Sequence, residues 1–213
     1  MTTLIIGAHG QVGQHIVQQL AATGETVYGA IRNAEQAETI TKLGGQARMF
    51  DLMGTADAMV PAMNGVDTVV FSAGSGGSTG DDMTLNIDLD GAIKSMIATE
   101  KAGIKRFIIV SALGTDDRSF WEKSGIRPYY VAKYYADQWL QHRTNLDYTI
   151  VRPGILTNDD PTGKISVDPA NADSSKITRS DVAAAVVAVV KHPQPKQIIA
   201  IVNGDVAVAD AIK

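Results

Sequence analysis

Apolar positions along this 213-residue chain follow two alternating rhythms. Thr3–Ala8 (TLIIGA) is a short unbroken apolar run, the pattern of a strand buried on both faces. Over Gln11–Ala22 the apolar residues Val12, Ile16, Val17 and Leu20 fall at helical spacing, and Gly24 supplies a stop. The same alternation predicts strands over Thr26–Ile31, Gln46–Leu52, Asp67–Ala73, Arg106–Ala112, Tyr148–Arg152 and Gln197–Val202. It predicts helices over Ala34–Lys42, Ala56–Met63 and Leu85–Ala102, and from Pro128 to about Arg143. A last helix is expected over Thr178–His192, with Thr178 or Ser180 as N-cap. Its aliphatic stripe Val182, Ala185, Val186 and Val189 suits either the core or a dimer face. Gly74–Gly80, Gly114–Arg127 and Ile155–Lys176 carry neither rhythm and read as loops. Strand–helix alternation of this kind predicts an α/β fold, with a doubly wound, mainly parallel sheet and helices on both faces. No linker or composition break divides it, so residues 1–213 are expected to form one domain.

The first strand runs into GAHGQVGQH, with Gly7, Gly10 and Gly13 three residues apart. In a parallel sheet, ligands bind beyond the carboxyl ends of the strands. A helix N-terminus there offers unpaired N–H groups and a partial positive charge, which suits a pyrophosphate. Gly7 would permit the tight turn, Gly10 the close approach of backbone to phosphate, and Gly13 the packing of helix on strand. Gln11 and Val12 open that helix. The spacing is G-x-x-G-x-x-G, one residue off the G-x-G-x-x-G dinucleotide fingerprint. His9, inside the loop, stands either beside a phosphate or as an exposed turn residue.

The end of the second strand refines the ligand. An acidic residue there would bind an adenosine ribose and favour NAD. The chain instead has Arg32, followed by Asn33, and a guanidinium fork suits a 2′-phosphate. NADP(H) is therefore favoured, with NAD(H) as the alternative. Asp51, followed by Leu52, closes the third strand and would lie near the adenine, or serve as an ordinary turn residue. Ser72, Ala73 and Gly74 end the fourth strand with small residues where backbone would pass close to the cofactor.

Composition narrows the classes. Net charge is −4 and no long block of Lys and Arg appears, which argues against a nucleic-acid partner. The absence of cysteine removes thiolate metal sites and thiol nucleophiles. The four histidines are scattered, so no metal site is expected. The apolar run Ala183–Val190 is too short to span a bilayer, and a cytoplasmic protein without a membrane partner is expected.

Taken in order, GAHGQVG (7–13), AIRN (30–33), FDL (50–52), FSAG (71–74), AGIKRFIIVSALG (102–114), YYVAKYYAD (129–137) and VRPG (151–154) resemble the short-chain dehydrogenase/reductase superfamily. The similarity is to its atypical, single-domain NAD(P)H-binding branch of Rossmann folds, alongside biliverdin reductase B, flavin reductase and NmrA-like proteins. The resemblance implies that Ser111, Tyr129 and Lys133 hold the catalytic positions. It also implies that Lys133 binds the nicotinamide ribose and that Pro153 and Gly154 shape the nicotinamide pocket. Tyr129 and Lys133 are four apart and share a helix face. A nearby ammonium favours the ionised form of a phenol, so Tyr129 could act as general acid towards a carbonyl. Tyr130, three before Lys133, is the competing tyrosine.

A small-molecule substrate would sit between the loop around Phe120 and Trp121 and the loop from Ile155 to Lys176. The resulting expectation is an NAD(P)H-dependent reductase of a carbonyl, quinone or flavin-like acceptor. The alternative is an NmrA-like, dinucleotide-binding sensor with little turnover. Epimerisation of a nucleotide sugar is a poorer fit, because epimerases of this superfamily are longer after the position of Gly154. Monomer and homodimer are both left open.

Overall fold

Strands buried on both faces need apolar side chains in both directions, and the unbroken runs provide them. The computed structural model describes residues 1–213. Its strands are β1 Thr2–Ile6, β2 Thr26–Ile31, β3 Gln46–Met49, β4 Thr68–Phe71, β5 Arg106–Val110, β6 Asp147–Pro153, β7 Ile155–Thr157, β8 Lys164–Ser166, β9 Lys176–Thr178, β10 Gln197–Asn203 and β11 Val206–Ala207. Its helices are α1 Gln11–Ala21, α2 Ala37–Lys42, α3 Ala56–Met59, α4 Asp81–Met83, α5 Ala92–Lys101, α6 Arg118–Lys123, α7 Arg127–Arg143, α8 Arg179–Lys191 and α9 Val208–Ala211. Nine strands form one sheet in the order β11-β8-β10-β6-β5-β4-β1-β2-β3. The pairs from β3 to β10 are parallel, and β8 runs antiparallel to β10 and β11. This is a doubly wound, mainly parallel Rossmann sheet.

Alternate residues of each strand feed opposite layers. Ile5, Val70 and Ile108 face a core closed by Ile16, Val17 and Leu20 of α1, Ile40 of α2, and Val182, Ala185, Val186 and Val189 of α8. The α8 stripe is thus core. Leu4, Ile6, Val69, Phe71 and Ile109 face the second core, closed by Met59 of α3, Met96 of α5, and Ala136 and Leu140 of α7. Thr178 caps α8 by accepting from the Asp181 N–H at 3.0 Å.

Three expectations change. The helix expected at Leu85 begins at Asp81 and runs through a widened, π-helical stretch, Thr84–Gly91, before α5. Gly114–Arg127 contains α6, capped where Asp117 Oδ1 accepts from the N–H groups of Ser119 and Phe120. Ile155–Lys176 contributes β7, β8 and the start of β9; β7 and β9 pair with each other in a small parallel sheet.

Candidate active site

Sheet order puts β1 between β2 and β4, so the chain winds away from β1 in both directions. The crevice at such a reversal is where open α/β sheets take their ligands. Gly7 follows β1 with φ +85°, and a Cβ there would lie 2.6 Å from the backbone N and Cα of Ala73. A Cβ on Gly13 would lie 2.2 Å from the Gly7 carbonyl oxygen. These two glycines therefore bring β1, β4 and α1 closer together than any side chain allows. Gly10 is the N-cap of α1, and its N–H donates to the Gly7 carbonyl at 2.9 Å. No side chain caps this helix and no acidic residue stands in its first turn. Its positive end, with the backbone of Gln11 and Val12, is left for an anion.

In front of it opens a cleft of about 440 Å³. Gly7, His9, Gly10, Arg32, Asp51, Leu52, Ser72, Ala73 and Gly74 line it, drawn from the ends of β1, β2, β3 and β4. Gln11, Val12, Gly13 and Asn33 do not line it: Gln11 is exposed at the start of α1, Val12 packs against the core, Gly13 is buried, and Asn33 is exposed where it begins the turn before α2. Arg32 is exposed, and its guanidinium makes neither an ion pair nor a hydrogen bond. Gln36, which sequence reasoning missed, also lines the cleft; its side-chain carbonyl accepts from the backbone N–H of Arg32 at 3.1 Å. Asp51 Oδ1 accepts from the Met53 N–H at 2.8 Å, a turn-forming contact that leaves Oδ2 for another donor. Ser72 uses both its N–H and its hydroxyl on the Ile6 carbonyl, which fixes β4 against β1.

Lys133 and Tyr129 come together on α7, with the ammonium 5.6 Å from the phenol ring centroid. Lys133 is buried; it pairs with Asp88 Oδ1 at 3.1 Å and donates to the Val110 carbonyl at 3.4 Å. Burial alone would push the proton off Lys133, but Asp88 and then Tyr129 reverse this and hold it above the ordinary lysine range. Tyr129 is also raised. Burial raises it first, Lys133 pulls it down, and Asp88 and Asp137 push it up again. The expected pull of the ammonium is present but outweighed. Tyr130 is buried in a small cluster with Ala112 and Trp121 and stacks edge-on against Phe120 at 5.3 Å.

Ser111 is buried at the end of β5, and its hydroxyl donates to Asp137 Oδ2 at 3.0 Å. The same oxygen receives Arg152 Nε at 3.2 Å and Nη2 at 3.1 Å. Arg152 Nη1 reaches Asp116 Oδ2 at 2.7 Å. Burial pushes the Asp137 carboxyl up to about 6, against the opposing pull of Arg152, Ser111 and Lys133. Pro153 ends β6, and its carbonyl accepts from the Leu113 N–H at 2.8 Å. A Cβ on Gly154 would lie 2.3 Å from the Ser175 carbonyl oxygen, so this glycine admits the strand pair β7–β9. Neither Pro153 nor Gly154 lines the cleft.

Residues 7–193 match the NAD(P)H-binding family. The chain belongs to this branch of the atypical short-chain dehydrogenase/reductases. Among relatives of this NAD(P)H-binding protein, the uncharacterized sugar epimerase YhfK of Bacillus subtilis is 40% identical over all of the chain and 99% of its own length. A Bacillus halodurans protein, assigned by name to NAD-dependent epimerases/dehydratases, superposes with a TM-score of 0.91 at 38% identity, covering all of this chain and 98% of that one. The anaerobilin reductase ChuY of Escherichia coli O157:H7 superposes with a TM-score of 0.78 at 25% identity, covering 97% of this chain and 98% of that one.

The NAD(P)H-binding chain holds two groups that its residue pattern did not single out, Asp88 and the Asp137–Arg152 pair. A carboxylate on a helix reads as solvated, and only the fold shows that both acids are buried. The segment around Phe120 and Trp121, expected to face a substrate, also differs from expectation. Trp121 is 1% exposed and donates its indole N–H to the Gly114 carbonyl at 3.0 Å, so it is the small core of its own segment. Phe120 remains 42% exposed at its surface.

Proposed function

We propose that this protein is an NADPH-preferring oxidoreductase that reduces a small carbonyl, quinone or flavin-like acceptor. The observation that carries the reading is the glycine cradle at the β1–β4 crevice, with an unpaired Arg32 at the end of β2. The family match supports nicotinamide-dinucleotide binding, and the likeness to ChuY, an anaerobilin reductase, supports reduction. The cleft residues fit such a cofactor: side chains are missing where backbone must meet phosphate, and the adjoining helix terminus is uncapped.

When bound, the reduced nicotinamide supplies a hydride to the acceptor. The uncapped end of α1 would hold the pyrophosphate, and the free guanidinium of Arg32 would take a 2′-phosphate. Tyr129 gives its phenolic proton to the acceptor oxygen. Lys133 and Ser111 keep the surrounding charge and geometry fixed through Asp88 and Asp137. A flavin-like acceptor needs less from the phenol, because holding two rings together supplies much of the rate.

The second reading is a dinucleotide-binding sensor with little turnover. It is favoured by one observation: the polar groups of Ser111 and Lys133 are already engaged with buried carboxylates. An acceptor screen separates the two. NADPH oxidation with quinones, flavins and aldehydes is expected, and loss of about 10²-fold or more on Tyr129→Phe marks a carbonyl acceptor. Tight NADPH binding without turnover on any acceptor supports the sensor.

A further inference from the structure

Asp88 lies in the π-helical stretch between α4 and α5 and is 1% exposed. Its Oδ2 accepts from the Ser75 N–H at 2.9 Å, in the segment that lines the cleft. Its Oδ1 is buried, and the ion pair with Lys133 is its one polar contact. The chain makes room for this carboxylate: a Cβ on Gly74 would lie 3.1 Å from Oδ1. Widened helical turns of this kind are frequent at functional sites.

The charged and titratable groups that face Tyr129 are few. Lys133 and Asp137 come from its own helix, Asp88 from the π-helical stretch, and the Tyr130 ring adjoins it with centroids 5.4 Å apart. A lone ammonium beside a phenol favours the phenolate, which can accept a proton but not donate one. Here the ammonium is matched by a carboxylate 3.1 Å away. The phenol faces an ion pair and not a single charge.

We propose that Asp88 is a positioning residue for proton transfer: it balances the Lys133 ammonium inside the chain, so that Tyr129 stands as a neutral phenol ready to donate. The consequence for catalysis rests on the reductase reading; the charge balance does not. In that reading the acceptor carbonyl gains a hydride at carbon, with NADPH oxidised to NADP⁺. It gains a proton at oxygen as the Tyr129 O–H bond breaks, and the phenolate left behind takes a proton from solvent. A site built this way favours reduction over the reverse oxidation, which needs the phenolate as base. The positions of the buried groups agree: burial, Asp88 and Asp137 together hold Tyr129 above the ordinary tyrosine range despite Lys133.

The test is a phenolate titration by near-ultraviolet absorbance on the full chain without cofactor. It compares the native protein, Tyr129→Phe, Asp88→Asn and the double variant. The difference between Asp88→Asn and the double variant isolates Tyr129. It should titrate at least about one pH unit lower than in the native protein, a tenfold gain in phenolate at a given pH. An unchanged titration overturns the proposal. Lys133→Met provides the opposite perturbation if Asp88→Asn fails to fold. It leaves the carboxylate facing the phenol and should raise the Tyr129 titration; no rise also overturns the proposal. A moved titration with no turnover on any acceptor would sink the reductase reading and leave the charge balance standing.

Discussion

Replacing Asp137 by Asn removes one buried charge and almost no volume. Asp137 is fully buried, with Arg152 and Ser111 on one oxygen and no hydrogen bond to the other. Its carboxyl, ordinarily near 3.8, is pushed up to about 6 in the fold. The folded state therefore binds this proton more tightly than the unfolded chain does. Stability from this group is fully present below the ordinary value and is lost as pH rises towards the folded value. Each pH unit between the two is worth about 1.4 kcal/mol, so about 3 kcal/mol is lost between roughly pH 4 and pH 6. Asn cannot ionise and loses nothing over that window. Urea unfolding of both proteins across this range gives the difference in unfolding free energy at each pH. That difference should move in favour of Asp137→Asn by about 3 kcal/mol as pH rises, then level off. A difference that stays flat, or moves towards the native protein, would refute the assignment of Asp137 as a carboxylate held ionised at a cost.

Other substitutions probe the cradle and the loops. Gly13→Ala puts a methyl 2.2 Å from the Gly7 carbonyl oxygen, so α1 must shift. Thermal unfolding should show a loss of about 1–3 kcal/mol, and calorimetry should show weaker nucleotide binding. Trp121→Ala empties the small core under the 114–127 segment. A loss of about 3–5 kcal/mol is expected, read by chemical denaturation, and a change under 1 kcal/mol would mean the segment collapses around the gap. Arg32→Ala should weaken NADPH about 10- to 100-fold, as loss of a charge-assisted contact does, while leaving NADH affinity unchanged. Equal losses for both nucleotides would contradict a 2′-phosphate role.

Local pattern was enough for the central sheet because its strands are covered on both faces. Leu4, Ile5 and Ile6 had to be apolar together, and α1 had to carry Ile16, Val17 and Leu20 at helical spacing. The glycine cradle was legible for a similar reason, since the backbone contacts at Gly7 and Gly13 exclude every side chain. The strands β7, β8 and β9 were not, because each has three residues and its pairing partner is distant in sequence. The helix α6 left a local signal, Asp117 before Ser119, that a polar composition masked. Asp88, Asp137 and Arg152 are charged residues in ordinary-looking helix and strand contexts. Their burial depends on which elements fold against one another, which no short window of sequence contains. Arg32 and Lys133 show the two cases side by side: both were singled out as charged candidates, and the fold leaves one exposed in the cleft and seals the other against Asp88.

What the cleft at the ends of β1, β2, β3 and β4 binds decides the proposed function. Paired calorimetric titrations of the native protein with NADPH and NADH test this directly. Binding of both is expected, with NADPH the tighter. Tighter NADH would contradict the role given to Arg32, and binding of neither would contradict the cleft as a dinucleotide site.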